Sequence, residues 1–177
     1  MVFIAKLLAL ALIATATPIL RRDAITVEND VTQKIGPQTT TLNNDVNGFP
    51  ASGLTGGLAI HTDIEVLSAT VNDATNDIKS SGSFSEADGT SILAEVQNLV
   101  PTLSGTLAAI GSQAPDWTDI PGGQALVLSD LKGLNTTFIG FTNALIAASP
   151  ADLVPAAVSV RTQIMGDFNS AIAAYSP

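Results

Sequence analysis

"SILAEVQNLVPTLSGTLAAIG", residues 91–111, holds one charge, Glu95, and a proline near its centre. Its apolar residues still return every three or four positions, at Ile92, Val96, Leu99, Leu103, Leu107 and Ile110, which is the period of a helix. Leu93 and Val100 widen that face beyond the ~100° stripe that a peripheral helix buries, so the segment reads as a central helix.

The same period recurs on both sides of it. Residues 24–47 carry Val27, Val31, Ile35, Leu42 and Val46, with Gly36-Pro37 predicting a kink. Residues 54–80 carry Ile60, Ile64, Leu67, Val71, Ala74 and Ile78, and residues 123–148 carry Val127, Leu131, Leu134, Phe138, Phe141 and Leu145. A last segment opens at "SPAD", read as Ser149 N-cap, Pro150 at the first helical position and Asp152 closing a capping box. It continues through Leu153, Ala157, Val160, Ile164, Phe168 and Ile172 to Tyr175. No strand-like alternation runs over a comparable length. The links "GFPASGLTGG" (48–57), "KSSGSFSEADG" (79–89) and "GSQAPDWTDIPGG" (111–123) are rich in turn residues. The pattern predicts an all-α fold, an up-and-down bundle of about five helices, with short links placing sequential helices side by side and antiparallel.

The N-terminus assigns a compartment. "MVFIAKLLALALIATATP" has an early cation, Lys6, a short apolar run and then small residues, so residues 1–16 read as a secretory signal peptide cut after Ala16. Thr15, Thr17 and Pro18 interrupt it well short of the roughly 20 apolar residues of a membrane span. Residues 17–22 then form a short propeptide ending in the dibasic pair Arg21-Arg22, or else two solvated arginines; residues 23–177 form a single domain. The expected location is secreted and extracellular, with association with a cell wall left open.

Loss of Lys6, Arg21 and Arg22 takes the net charge from -9 to -12. The four remaining cations, Lys34, Lys79, Lys132 and Arg161, are far apart in sequence, which argues against nucleic acid as a partner and against an anionic membrane surface. With no cysteine there is no disulfide framework, so apolar packing holds the fold. Charged residues make up 13% of the chain, against about 25% in soluble proteins generally. Ser, Thr, Asn and Gln carry the surface instead, which suits contact with apolar or carbohydrate material.

Residues for chemistry are sparse. His61 is the single histidine, one position from the core residue Ile60, and no G-x-S-x-G elbow occurs. One His and no Cys leave only carboxylates for a metal, and the D-x-[DN]-x-[DN]-G pattern is absent, so neither a metal nor a cofactor is expected. The acids Asp73/Asp77 and Glu86/Asp88 read as solvated helix charges rather than a glycosidase pair, because aromatic residues to line a sugar cleft are few. Asn135-Thr136-Thr137 is an N-glycosylation sequon lying within a helix. Trp117, in the loop "QAPDWTDIPGG", is either a surface anchor or a ring folded over the bundle end.

The dibasic site, "DAITVENDVTQKI", the Gly-rich link into "IHTDIEVLSATVNDATNDI" and the closing "SPADLVPAAVSVRTQIMGDFNSAIAAY" together resemble the hydrophobic surface binding protein A family of fungal secreted proteins, which also contains cell-wall galactomannoprotein antigens. The resemblance spans the expected mature chain. It implies a helical domain whose relatives adsorb to hydrophobic surfaces, some of them similar to carriers that enclose fatty acids among their helices. The expected partner is a hydrophobic surface or a lipid, with recruitment of a secreted esterase left open.

The helix interrupters Pro37, Pro101, Gly105, Gly133, Gly140 and Pro155 suggest where helices bow apart around such a guest. The wall would come from Leu67, Val71, Leu99, Leu103, Leu134, Phe138, Phe141, Ile164 and Phe168, with His61 and Gln163 as polar handles. The sequence therefore predicts a non-enzymatic binding protein, with a solid-cored structural or antigenic wall protein as the alternative.

Overall fold

The computed structural model describes residues 23–176, and the signal peptide and dibasic site read from residues 1–22 lie outside the described residues. Five long helices form a bundle, with no strand among the described residues. They are α1 (23–48), α2 (Gly53–Ser81), α3 (Glu86–Ser112), α4 (Gly123–Ala148) and α5 (Val154–Ala174), with a 3-10 turn at Asp116–Asp119.

At Gly36-Pro37 the chain departs from the expected kink. Helix α1 runs on through a π-helical stretch, Asp30–Ile35, whose end places the Gly36 N–H on the Val31 carbonyl five residues back. Proline has no N–H and its ring crowds the carbonyl four residues earlier; a widened turn just before it accommodates both while the helix continues. Pro101 likewise lies inside an unbroken α3, on its exposed side.

Helix α3 starts earlier than its apolar period indicates, because Ser85 caps it. The Ser85 Oγ accepts the Asp88 N–H at 3.2 Å and donates to Asp88 Oδ2 at 2.7 Å, satisfying an otherwise orphaned donor. The predicted capping box at "SPAD" is not formed. Ser149 Oγ donates instead to the Leu145 carbonyl and closes α4, residues 150–153 make a turn, and Pro155 occupies the first turn of α5. Pro155 supplies there the fixed φ that the sequence reading assigned to Pro150.

Helix direction alternates along the chain as expected, but the neighbours differ. The bundle closes as a ring in the order α1, α2, α4, α5, α3 and back to α1, so α2 with α3 and α3 with α4 are not principal neighbours. Next-but-one helices lie side by side and run parallel. Their polar ties repeat one sequence offset: His61 to Asp130 at 69, Ser104 to Asp167 at 63, Thr106 to Asn43 at 63, Gln113 to the Val46 carbonyl at 67, and Tyr175 to the Ile110 carbonyl at 65. Two helices and two links occupy about that length in each case. The wide apolar face of α3 is covered by α1 on one flank and α5 on the other, which accounts for the burial of Leu93 and Val100.

Candidate functional site

The middle of every helix contributes to one buried apolar cluster. It contains Leu67 and Val71 of α2, Leu99 and Leu103 of α3, Leu134, Phe138 and Phe141 of α4, and Ile164 and Phe168 of α5. Phe138 is the hub of the aromatic part, with ring centroids 5.6 Å from Phe168 and 6.3 Å from Phe141. Helix α1, which the sequence reading of the wall left out, adds Ile35, Leu42 and Val46 to the same cluster. Their stripe was legible; their place beside the other four was not.

The hydroxyls inside this cluster are spoken for, whereas the indole Nε1 of Trp117 is buried with no hydrogen-bond partner. The buried hydroxyls of Thr39, Thr75 and Thr142 each donate to the carbonyl four residues back, at 2.7 to 2.8 Å, and Thr106 does the same at 2.8 Å while also reaching Asn43. A buried hydroxyl satisfied by its own helix adds little polarity to the interior. The interior accordingly suits an apolar chain, and a charged headgroup has to remain near solvent.

The two handles read from sequence lie on the outside. His61 is half-buried between α2 and α4, its Nδ1 2.8 Å from Asp130 Oδ2 and its Nε2 3.7 Å from Glu65 Oε1. The bond to Asp130 is the main cause of a pKa raised above the usual imidazole value. Burial raises that of Asp130, although His61 pulls it down. The polar partners of His61 are two carboxylates and no hydroxyl or thiol. Gln163 is exposed on a groove of about 280 Å³ between α3 and α5 that also includes Pro101.

Of the two placements the sequence allows for Trp117, the structure has the folded one. The side chain is 2% exposed and stacks on Phe49 with centroids 4.4 Å apart. Gly57 and Gly123 make room for it: a Cβ on Gly57 would lie 3.1 Å from the indole, and one on Gly123 2.8 Å from the Trp117 carbonyl. Just outside, Leu54 (60% exposed) and Leu58 (52%) project one turn apart from the start of α2. Asn135 is half-buried on α4, its Oδ1 buried with no hydrogen-bond partner.

At the opposite end, the last turns of α2 and α4 flank a groove of about 550 Å³. Ile78, Ala144 and Ala148, all members of the buried cluster, form its floor, while Gly140 and Ala147 border it and Lys79, Ser83 and Asn143 supply its polar groups. Sequence reasoning singled out Gly140 but not this groove. The signal available was the run of small residues at 140, 144, 147 and 148 opposite a lysine. Among the described residues no group of three or more His, Cys, Asp or Glu is placed to hold a metal ion, and no described helix is long and apolar enough to cross a membrane.

Residues 24–147 match the family model described as hydrophobic surface binding protein A. The chain belongs to that family. Among solved structures, the complex of AFMP4P with palmitic acid aligns at TM-score 0.81 and 31% identity, covering 86% of this chain and 99% of that one. Ligand binding domain 1 of the Penicillium marneffei MP1 protein, complexed with arachidonic acids, aligns at TM-score 0.79 and 15% identity over 87% and 99% of the two chains. Domain 2 of that protein, with multiple arachidonic acids, aligns at 0.78 and 14% over 86% and 96%. The last two likenesses concern the fold. No curated protein sequence matches significantly. The family match ends at residue 147, before α5, whose Ile164 and Phe168 nevertheless complete the buried cluster.

Proposed function

We propose that this chain is a secreted, non-enzymatic lipid-binding protein that takes up a fatty-acid-like molecule between its helices. The observation that carries the reading is the palmitic acid held by a relative that is 31% identical over nearly its whole length. The largely apolar interior, with its threonine hydroxyls already satisfied, is the environment an acyl chain needs. In this reading the acyl chain lies against Leu67, Val71, Leu99, Leu103, Leu134, Phe138, Phe141, Ile164 and Phe168, and the helices part slightly to admit it. A role for His61 as general base has no support in its surroundings: Asp130 could orient the ring, but no serine, threonine or cysteine among the described residues is bonded to it to act as nucleophile.

Native mass spectrometry of protein purified from a secreting host, together with titration of a fluorescent fatty acid, tests the proposal. The expected result is an acyl adduct or saturable binding. A folded protein that carries no lipid and does not titrate would overturn the reading in favour of a scaffold protein. Leu103→Trp adds a localising arm. If the acyl chain occupies the centre, the indole displaces it and the fold survives; if the centre is filled by the protein alone, overpacking costs about 1–3 kcal/mol.

A further inference from the structure

The interior gives an acyl chain contact but gives a carboxylate little, since its threonine hydroxyls are bonded to their own helices and its unpartnered indole donor, Trp117 Nε1, is stacked away at one end of the bundle. A fatty acid's headgroup has to emerge where an apolar path meets a positive charge. This protein has few such places. Of the four cations in the described residues, Lys34 is held 2.6 Å from Asp30, and Lys132 and Arg161, although without an ion pair, line none of the main grooves. Lys79 makes no ion pair among the described residues and stands in the last turn of α2, on the α2/α4 groove.

The grooves of the molecule differ in charge. The one between α3 and α5 near Ser104 includes Asp167, and the one beside Leu54 includes Asp116 and Asp119. The groove near Trp117 and that near Gln163 have no charged side chain. The α2/α4 groove combines a cation with no carboxylate. A carboxylate is drawn to it and repelled by the acidic grooves.

Its apolar part is lined by small residues on the α4 side. A Cβ on Gly140 would meet nothing within 4 Å, and beyond Gly140 the apolar residues on the α4 side of the groove are the alanines Ala144, Ala147 and Ala148, with Asn143 the polar residue among them. From Gly140 to Ala148 the helix advances about 12 Å, so the valley can follow an extended chain over that length. Because Ile78, Ala144 and Ala148 belong to the buried cluster, the floor of the valley is also the outer layer of the core.

We infer that the valley between the C-terminal ends of α2 and α4 is the headgroup end of the lipid site, binding the carboxylate of a single-chain fatty acid at Lys79 with the adjoining methylenes along Gly140, Ala144 and Ala148. This assignment rests on the lipid-binding reading above and names where that ligand meets solvent.

The test titrates a fluorescent long-chain fatty acid and its methyl ester into wild type, Lys79→Gln, Lys79→Arg and Gly140→Leu, with thermal unfolding as a check on the fold. Gly140→Leu places a side chain in open space on a helix and is expected to fold. Wild type should prefer the acid over the ester; Lys79→Gln should weaken acid binding roughly tenfold and leave the ester unchanged, and Lys79→Arg should retain the preference. Gly140→Leu should weaken both ligands at least about tenfold. Unchanged acid binding in both Lys79→Gln and Gly140→Leu, with a wild type that binds, overturns the headgroup assignment while leaving the lipid reading in place. A wild type that binds neither acid nor ester overturns the lipid reading itself, and this assignment with it.

Discussion

The two ends of the bundle use small residues in opposite ways. At one end Gly57 and Gly123 give up their side chains so that the indole of Trp117 can press against α2 and α4, with Phe49 stacked beneath it. Around it Gln113 donates to the carbonyls of Val46 and Phe49, and the Tyr175 hydroxyl donates to that of Ile110. At the other end Gly140, Ala144, Ala147 and Ala148 line a valley, and a Cβ placed on Gly140 would meet no atom within 4 Å. The same saving of volume yields a plug in one place and a receptive groove in the other. A glycine in a helix therefore reports a close approach only when something is there to approach it.

Removing the plug should have the largest effect. Trp117→Ala is expected to cost about 3–5 kcal/mol, read as a lowered midpoint in chemical denaturation. Fatty-acid binding at the far end should persist at temperatures where the variant is folded. A cost below about 1 kcal/mol would mean that Trp117 merely covers the end without stabilising it.

A methyl group added at each end sharpens the contrast, because its sign should reverse. Gly123→Ala drives a Cβ to 2.8 Å from a backbone carbonyl, which cannot move as a flexible side chain would, and should destabilise by about 1–3 kcal/mol.

The acids distinguish the ends as well. Near the Trp117 end, Asp63 of α2 faces Asp45 of α1, and burial together with that neighbour raises its pKa to about 6. Towards the other end, Asp77 faces Asp30; burial and Asp30 raise its pKa while Lys34 opposes them. A carboxyl whose pKa is higher folded than unfolded binds its proton more tightly in the native state, so its contribution is present at low pH and declines as pH rises from about 4 to about 6. Asp63→Asn should flatten stability across that window and stabilise the protein at pH 7 by roughly 1 kcal/mol, after allowance for solvent screening. Thermal unfolding from pH 4 to 8 checks this; an unchanged slope would show that the Asp45–Asp63 contact is too well hydrated to matter. His61 works in the same direction at higher pH. Its raised pKa gives a contribution that is complete below the ordinary imidazole value and fades as pH climbs through the folded one.

The smallest effect belongs to the receptive end. Gly140→Ala meets no atom within 4 Å and improves helix propensity, so it should stabilise by about 0.5–1 kcal/mol. A destabilising result would mean that α2 and α4 approach each other more closely there than the valley implies, and would weaken the contrast between the ends.

How much of this was legible depends on which physical signal carried it. Helical period located α2 at 54–80 and α4 at 123–148, each to within a residue or so of the observed Gly53–Ser81 and Gly123–Ala148. The start of α3 was placed late because its first turn depends on a cap, Ser85 with Asp88, and not on apolar residues. The nine residues read as the wall of a lipid cavity are all buried in one cluster, so their burial was legible from the stripes, while their contact with a ligand belongs to the proposed function. The groove at Lys79 went unread, since a gap between two helices is a property of neither sequence alone.

Sequence by itself determined that the chain is helical, that five stripes bury an aliphatic core without disulfides, and that it belongs with a family of layout rather than of catalytic signature. A stripe records which face of a helix avoids water, and that is a local matter of spacing. It does not record which other stripe will cover it, because five aliphatic faces are nearly interchangeable partners. Only the tertiary structure decided the ring order α1, α2, α4, α5, α3, the stacking of Trp117 inside rather than on the surface, and the pairing of His61 with Asp130. The physical reason is that partner choice rests on shape at a few small residues and on polar ties 63 to 69 residues apart, terms that exist only once the helices have met.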